Sequence, residues 1–280
     1  MNNIKKVAIC GLGCVGSQVV NQLQSVDGFK VCGIFSRTYK KDYSSYNWYI
    51  NYKDLIDKSD IVVETIGGIG IAKDIVFYAL EQGKKVVTAN KYLIASFGEE
   101  LLPKYKNQFF FEASVCGALP IVSVINNYFK NDEITKIEGI LNGTSNYILT
   151  QVENGMSFED ALTKSQQLGF AESDPTFDIE GIDASHKAAI LHYLAFGHWL
   201  NLNDIEVEQP RFAKSGQKNI ASITNGKVVI KNSFDDRFCS VNLNKNGVIL
   251  DCKKTGNTFI SGLGAGGTET AFAVLSNIVN

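Results

Sequence analysis

Short apolar runs alternate with helical patterns in the first half of the chain. The runs with the character of β-strands are Lys6–Cys10, Phe29–Phe35, Ile61–Ile66, Lys85–Thr88 and Gln108–Glu112. Between them, apolar residues recur at helical spacing, as over 15–23 and 72–81. Strands that alternate with helices are typical of βαβ units, and strands that are apolar throughout are typical of a sheet covered on both faces. We therefore predict an α/β fold with a doubly wound parallel sheet.

The second half has a different pattern. Residues 133–141 alternate polar and apolar, which predicts a strand with one face in water. Helical patterns cover 144–153, 158–168 and 183–196, and then short strands run from 226 to 260, separated by polar turns such as 244–247. A glycine cluster and an apolar helix, 270–278, end the sequence. This mixture predicts an inserted α+β domain.

Composition restricts the classes of partner. Of the 280 residues 45% are hydrophobic and 20% are charged, with a net charge of -2. A nucleic-acid-binding protein usually has a basic excess, so we expect no nucleic-acid partner. We also expect a cytoplasmic protein without a membrane partner, because no run approaches about 18 apolar residues and no signal peptide is recognisable. The six cysteines form no CxxC pair. We therefore expect no zinc site and no disulfide framework.

A glycine-rich turn joins the first predicted strand to the first predicted helix. A GxGxxG pattern alone is weak evidence, but here a strand precedes it, and a helix and a second strand follow. Bare backbone N–H groups and the positive end of the helix dipole suit a pyrophosphate. The alternative is a tight turn that binds nothing. We predict a Rossmann-type nucleotide-binding domain whose cofactor contacts include Gly11, Leu12, Gly13, Cys14, Val15 and Gly16.

The residues after the second predicted strand favour one nicotinamide cofactor. Residues 35–41 read Phe-Ser-Arg-Thr-Tyr-Lys-Lys, and no acid precedes Asp42. An Asp or Glu would hold the ribose 2′-OH of NAD(H), whereas Arg37 and its basic neighbours suit a 2′-phosphate. A solvated basic loop is the alternative. The prediction is that NADP(H) is preferred over NAD(H).

An acidic loop precedes an apolar helix over residues 169–187. Asp183 and Lys187 are four residues apart, so their side chains share one face of the predicted helix. On a surface, such a pair contributes only a few tenths of a kcal/mol. Against the apolar residues of this helix, however, a lysine can serve as an acid or base. The spacing leaves both interpretations open, and the preceding acids would suit the ammonium group of a small substrate.

Together, five segments of the sequence resemble homoserine dehydrogenase. They are the glycine turn, VVTANK at 86–91, FEASVCGALP at 111–120, GILNGTSNYIL at 139–149, and 169–187 with its AESDP and GIDASHK motifs. The closing GLGAGGTETA at 262–271 is also similar to the family's C-terminal glycine turn. The resemblance is dense over about 5–198 and again from 262, but the segment 197–262 is shorter than in the family. We expect a short form without a C-terminal regulatory domain.

The resemblance implies roles for individual residues. The family interconverts L-homoserine and L-aspartate 4-semialdehyde with NAD(P)(H), so Lys187 is expected to be the acid/base, with Asp183 as its partner and Lys91 as a further catalytic residue. Substrate contacts are expected at Glu172, Asp178, Asp183, Gly143 and Thr144. Further cofactor contacts are expected at Thr88, Lys91 and Gly266. A Na⁺ or K⁺ site is implied at the backbone carbonyls of Glu112, Val115, Gly117 and Leu119.

The predicted domains are a nucleotide-binding domain (1–130), a substrate-binding and dimerisation domain (131–261), and a C-terminal helix (262–280) that returns to the first domain. We expect a homodimer, because the alternating strands of the inserted domain need a cover for their apolar face. Two alternatives to the dehydrogenase activity stay open. One is a non-catalytic NADP(H)-binding paralogue, which the short segment 197–262 motivates. The other is a dehydrogenase for another small amino acid.

Overall fold

The computed structural model describes residues 4–171 and 174–280. Contacts within the chain divide them into two units. The first unit contains the residues up to Ser114 together with Gly267–Asn280, and the second is Val115–Gly266. The chain therefore leaves the first unit once and rejoins it with its last helix. No helix in the described ranges has the length and apolar character that a bilayer crossing requires.

A parallel sheet with helices forms the first unit. Its strands are β1 (Lys5–Cys10), β2 (Phe29–Phe35), β3 (Ile61–Glu64), β4 (Lys85–Thr88) and β5 (Phe109–Phe110). Its helices are α1 (Cys14–Leu23), α2 (Tyr52–Asp57), α3 (Gly70–Glu81), α4 (Lys91–Lys104) and the last helix of the chain, α10 (Gly267–Val279). The strand order is β2-β1-β3-β4-β5, and all pairs are parallel. This order confirms the predicted doubly wound, Rossmann-type fold.

Apolar strand residues form the core of the first unit. Ile9 on β1 and Val63 on β3 are fully buried, and they share one cluster with Val20 of α1. The last helix, α10, adds Val274 and Ile278 to the same cluster. Burial of each such side chain contributes roughly 1.5–3 kcal/mol. The packed core fixes the carboxyl ends of β1 and β3, where the glycine turn begins.

A mixed sheet forms the second unit. Its strands are β6 (Ile134–Ile140), β7 (Glu206–Val207), β8 (Lys218–Thr224), β9 (Lys227–Ser233), β10 (Lys245–Cys252) and β11 (Gly256–Leu263). Their order is β11-β10-β6-β8-β9-β7. Within the described part of this sheet, β7 and β9 pair in parallel and the other neighbours pair antiparallel. The helices are α5 (Ile121–Ser123), α6 (Gly143–Glu153), α7 (Phe158–Gln167), α8 (Thr176–Ile179) and α9 (Ile182–Phe196). The second unit thus has the α+β character that the sequence pattern predicts.

Some elements differ from the sequence prediction. Helix α4 was not predicted, and its last turn contains Pro103. Strand β8 was not predicted either, because it begins with Lys218 and Asn219, two polar residues that are nevertheless buried. The predicted turn at 244–247 is wrong in part, since β10 already begins at Lys245. In these places long-range contacts override the local pattern.

Candidate active site

The glycine turn of the first unit lies where the strand order reverses, at the carboxyl ends of β1 and β3. A Cβ on Gly16 would stand 2.0 Å from the carbonyl oxygen of Gly11, so α1 can approach the strand closely only with glycine there. The hydroxyl of Thr65, just after β3, donates to that same oxygen at 2.9 Å. Open α/β sheets bind ligands at this reversal point, and the start of α1 directs backbone N–H groups towards it. The turn therefore fits a pyrophosphate.

The start of α10 lies beside the glycine turn. A Cβ on Gly267 would stand 2.4 Å from the Sγ of Cys14, and the side-chain amide of Gln22 donates to the carbonyl oxygen of Thr268 at 3.2 Å. The preceding residue, Gly266, is a predicted cofactor contact. It has a φ of +132° and is the last residue of the second unit.

A buried carboxyl group organises the ends of β3 and β4. Glu64 Oε1 accepts hydrogen bonds from the backbone N–H groups of Ile66 at 2.8 Å and Gly67 at 3.1 Å. Glu64 Oε2 accepts one from the hydroxyl of Thr88 at 2.5 Å. Burial raises the pKa of Glu64, because desolvation disfavours the carboxylate more than these hydrogen bonds favour it. Thr88, a predicted cofactor contact, is thus held by Glu64, which is not among the predicted site residues.

Basic residues follow β2 and begin α4. Arg37 is exposed, and Lys40 Nζ donates to the hydroxyl of Ser17 on α1 at 3.0 Å. Positive charge beside the helix of the glycine turn suits a phosphate group. Lys91 is the first residue of α4 and directly follows the N-cap Asn90, whose side chain accepts from the backbone N–H of Leu93 at 3.1 Å.

In the second unit, Lys187 and Asp183 form a buried ion pair on α9. Lys187 Nζ lies 2.7 Å from Asp183 Oδ2, and the two residues are only 8% and 4% exposed. The same ammonium group donates to the backbone carbonyl oxygen of Leu141 at 2.9 Å. This burial removes the interpretation of a solvated surface pair. The catalytic role of the pair stays a prediction.

Asn142 joins two of the predicted acids. Its Nδ2 donates to Asp178 Oδ1 at 2.7 Å and to Asp183 Oδ2 at 2.8 Å. Its Oδ1 accepts from the backbone N–H of Ser145 at 2.7 Å and so caps α6. Asn142 is not among the predicted site residues, although Asn is a preferred N-cap residue directly before a helix. One amide group therefore brings Asp178 and Asp183 together and fixes the start of α6.

The predicted substrate contacts Gly143 and Thr144 form the first turn of α6. The hydroxyl of Thr144 donates to the carbonyl oxygen of Phe170 at 2.8 Å. A Cβ on Gly143 would stand 2.7 Å from the carbonyl oxygen of Asn244, so a loop approaches the helix start closely here. Glu172, another predicted substrate contact, lies outside the described residues.

Three of the residues implied in cation binding lie in one tight turn of the second unit. They are Val115, Gly117 and Leu119. Cys116 and Gly117 have left-handed φ values of 61° and 59°, and the backbone N–H of Leu119 donates to the carbonyl oxygen of Cys116 at 3.1 Å. The fourth, Glu112, belongs to the first unit, where its backbone N–H donates to the side chain of Asn277 at 2.9 Å. Backbone carbonyls are suitable ligands for a hard cation.

The chemistry that each unit offers follows from these contacts. The first unit offers a glycine turn and basic residues, a combination that holds a dinucleotide phosphate. The second unit offers a buried ammonium group with a carboxylate beside it and a second acid close by. Such a set can orient a small polar substrate and transfer a proton at one of its oxygen atoms.

Two family models match adjacent parts of the chain. The model described as homoserine dehydrogenase matches residues 120–279, and that described as homoserine dehydrogenase, NAD binding domain, matches residues 11–108. The first covers the second unit from residue 120 onwards together with α10, and the second covers the glycine turn and strands β2, β3 and β4. The family models thus agree with both the mixed sheet and the nucleotide-binding sheet.

Individual relatives point to the same family. A homoserine dehydrogenase of Pseudomonas aeruginosa is 34% identical over 98% of this chain, which spans 71% of that protein. A homoserine dehydrogenase structure from Thiobacillus denitrificans has a TM-score of 0.90 at 31% identity, covering 98% of this chain and 72% of that one. A hyperthermophilic archaeal homoserine dehydrogenase in complex with NADPH has a TM-score of 0.86 at 25% identity, covering 98% and 96%. The chain therefore belongs to the homoserine dehydrogenase family of NAD(P)-dependent oxidoreductases.

Proposed function

We propose that the protein interconverts L-aspartate 4-semialdehyde and L-homoserine with NADP(H). The observation that carries this proposal is the buried contact of 2.7 Å between Lys187 and Asp183. When bound, the nicotinamide ring would supply a hydride to the carbonyl carbon of the semialdehyde, or accept one from the hydroxyl-bearing carbon of homoserine. The Lys187 ammonium donates a proton to the carbonyl oxygen as negative charge develops there and becomes a neutral amine. In the reverse direction the neutral amine accepts the proton of the hydroxyl and becomes the ammonium again.

The other residues of the second unit position the reactants. Asp183 accepts one N–H bond of Lys187 and thereby orients the ammonium group. Glu172 is proposed to bind the substrate ammonium, and Asp178 to help shape the polar site. Gly143 and Thr144 are proposed to lie near the substrate at the start of α6. Lys91 is proposed as a further catalytic residue. Holding reacting groups in line supplies a large part of the rate enhancement in such reactions.

The test follows NADPH oxidation with L-aspartate 4-semialdehyde. Lys187→Ala should lower kcat by about 10²- to 10⁴-fold, the usual contribution of a general acid. Lys187→Arg should not restore the rate, because a guanidinium group does not give up its proton near neutral pH. Lys253→Ala is the matched control. It removes a lysine whose contact with Glu133 is also 2.7 Å but whose side chain is 59% exposed, so the rate should stay unchanged.

The outcomes separate the candidate functions. A Lys187→Ala protein with near-normal turnover would show that Lys187 is not the acid/base. An unmodified protein that binds NADPH but does not oxidise it with any small amino-acid aldehyde would be a non-catalytic paralogue. Oxidation with a different small amino-acid aldehyde, but not with aspartate semialdehyde, would indicate a dehydrogenase for another substrate.

We further propose that NADP(H) is preferred over NAD(H) and that a Na⁺ or K⁺ ion assists the reaction. Exposed Arg37 supports the cofactor preference, since it follows β2 and can meet a 2′-phosphate. The carbonyl groups of Val115, Gly117 and Leu119, with that of Glu112, are the proposed ligands of the cation. A reaction rate that does not change when K⁺ and Na⁺ are replaced by a bulky organic cation would contradict the cation site.

We also propose a homodimer. Phe259 and Leu263 are 43% and 42% exposed on β11, which is the edge strand of the mixed sheet. An exposed edge with apolar side chains is usually covered in native proteins, and a symmetric contact with a second copy would cover it. A molar mass of one chain, measured by light scattering at micromolar concentration, would exclude the dimer.

A further inference from the structure

The buried side chain of Asn246 contacts the same oxygen atom as Lys187. Asn246 lies on β10 and is 0% exposed. Its Nδ2 donates to the carbonyl oxygen of Leu141 at 2.8 Å, and Lys187 Nζ donates to that oxygen at 2.9 Å. One carbonyl group therefore accepts hydrogen bonds from a neutral amide on the sheet and from the buried ammonium on α9.

This shared acceptor determines the direction in which the ammonium points. A carbonyl oxygen has two lone pairs, and the two donors occupy both. A lysine ammonium has three N–H bonds, and the contacts with Leu141 and Asp183 engage two of them. Because the bonds are tetrahedral, fixing two of them fixes the direction of the third. The direction of the Leu141 carbonyl group therefore determines where the third N–H bond of Lys187, the one that carries the transferable proton, points.

Gly264 makes room for the Asn246 amide. A Cβ on Gly264 would stand 2.0 Å from Asn246 Oδ1 and 2.2 Å from its Cγ. The backbone N–H of Gly264 donates to the carbonyl oxygen of Asn244 at 3.0 Å, which holds the glycine against β10. A larger residue at 264 would push the amide away from Leu141. Glycine at this position is thus required by the amide of Asn246.

We infer that Asn246 is a positioning residue for proton transfer by Lys187. It acts through the Leu141 carbonyl, whose direction it fixes by its own hydrogen bond to the oxygen that also accepts from the ammonium. The inference rests on the proposed function, in which Lys187 is the proton donor. Asn246 lies in the segment 197–262, where the sequence resembles the family least, so the inference assigns a role in the reaction to that segment.

A buried amide can also serve only the stability of the fold, and the same sheet contains one for comparison. Asn219 on β8 is 6% exposed, and its Nδ2 donates to the carbonyl oxygen of Glu208 at 3.0 Å and to Asn232 Oδ1 at 2.9 Å. None of these partners is an acceptor for Lys187 among the hydrogen bonds described. Asn219→Leu therefore removes a buried amide of the mixed sheet without touching the Leu141 carbonyl.

The test compares Asn246→Leu with Asn219→Leu in the full chain, by steady-state oxidation of NADPH with aspartate semialdehyde. Asn246→Leu should lower kcat about 10- to 100-fold, since a misplacement of about 1 Å can cost roughly 100-fold. Its KM for NADPH should stay unchanged. Asn219→Leu should lower the Tm and leave kcat within about twofold of the unmodified protein. Gly264→Ala should lower kcat as Asn246→Leu does, because it displaces the same amide without altering it.

Asn246→Asp tests the positioning role by the pH–rate profile, which would not change if Asn246 only stabilised the fold. Its carboxylate would stand close to the Lys187 ammonium, since both side chains reach one oxygen atom. A negative charge within about 4–6 Å favours the protonated ammonium. The alkaline limb of the pH–rate profile for semialdehyde reduction should therefore move to higher pH. The Asn219→Asp control should leave this limb in place.

Each outcome decides the inference. A loss of kcat in both Asn246→Leu and Gly264→Ala, with the limb moved in Asn246→Asp, supports it. Folded Asn246 variants with normal kcat and an unmoved limb would overturn it, as would equal losses of kcat in the Asn246→Leu and Asn219→Leu proteins. Should Asn246→Leu fail to fold, Gly264→Ala and Asn246→Asp decide in the same way. Failure of the proposed function is distinct, because then the unmodified protein would show no turnover or Lys187→Ala would keep it.

Discussion

Replacing Asn142 with Asp exchanges the donor nitrogen that lies between Asp178 and Asp183 for an oxygen. In the unmodified protein Nδ2 donates to both Asp178 and Asp183. The other side-chain atom, Oδ1, accepts from the backbone N–H of Ser145, and an aspartate keeps this helix cap. The substitution therefore leaves the start of α6 intact and places a third carboxylate against two others.

The cost at neutral pH has two parts. Hydrogen bonds to charged groups contribute about 1.5–3 kcal/mol each, and Asn142→Asp removes two of them. Two like unit charges 4 Å apart repel each other by about 4 kcal/mol at an effective dielectric constant of 20. Together these are a large share of the roughly 5–15 kcal/mol by which a native protein is stable. The folded variant should therefore take up a proton that its carboxylates share.

Proton uptake gives the stability of the variant a definite dependence on pH. The shared proton has a higher pKa in the folded than in the unfolded state. Its contribution to folding is therefore fully present in acid and is lost as the pH rises through the folded-state pKa. We expect the free energy of unfolding of Asn142→Asp to be about 3 kcal/mol lower at pH 8 than at pH 5, which corresponds to roughly two pKa units.

Urea unfolding measured by Trp199 fluorescence tests this expectation. Trp199 lies in the second unit and its ring is 5.4 Å from that of Tyr193, and Trp48→Phe removes the other tryptophan of the chain. Asn51→Asp is the control, because Asn51 also caps a helix through its side chain but is exposed. It should change the free energy of unfolding by less than about 0.5 kcal/mol at either pH. Equal free energies for Asn142→Asp at pH 5 and pH 8 would refute the bridging role of Asn142.

Two further predictions concern the first unit. Arg37→Ala should weaken NADPH binding about 10- to 100-fold, as expected for a lost charge-assisted contact, and leave NADH binding nearly unchanged; equal affinities of the unmodified protein for both cofactors, measured by calorimetry, would contradict it. Burial raises the pKa of Glu64, so the contribution of its protonated form to stability is present in acid and is lost as the pH rises through the raised value. Glu64→Gln should therefore flatten this part of the stability curve, measured by Trp48 fluorescence in a Trp199→Phe background. An unchanged slope would show that Glu64 is not the responsible group.

The parallel sheet and the glycine turn could be predicted because their signals are local. Apolar runs such as Phe29–Phe35 define strands by themselves, and the spacing of Gly11, Gly13 and Gly16 defines a turn between a strand and a helix. The i, i+4 spacing of Asp183 and Lys187 likewise predicts that both share a helix face. Local spacing did not decide whether the pair is buried or exposed, because burial depends on the elements that pack around α9.

The residues that hold the site in place could not be predicted, because their partners are distant in sequence. Glu64 ends one apolar strand, and its partner Thr88 ends another. Asn246 stands in a run of Asn, Lys and Gly that is typical of a turn, yet it lies on β10 and contacts Leu141 after β6. Only the antiparallel pairing of β10 with β6 brings these two residues together. No pattern within one segment contains that information.

The short segment between 197 and 262 motivated the non-catalytic interpretation, but it contacts α6 directly. The side-chain amide of Asn146 on α6 donates to the carbonyl oxygens of Val241, Leu243 and Lys245, each at 3.0 Å. The backbone N–H of Leu243, whose left-handed φ of 60° is unusual for a residue with a side chain, donates to the hydroxyl of Thr150 at 3.1 Å.

A non-glycine residue persists in such a conformation only where its surroundings hold it there. The contacts of Leu243 with Asn146 and Thr150 come from α6, the helix whose N-cap contacts Asp178 and Asp183. The same segment also includes Asn244, whose carbonyl oxygen lies against Gly143. Two residues further on, Asn246 donates to the Leu141 carbonyl oxygen, which also accepts from Lys187. The reduced length therefore leaves the supports of the buried ammonium in place, and the short segment is not by itself an argument against catalysis.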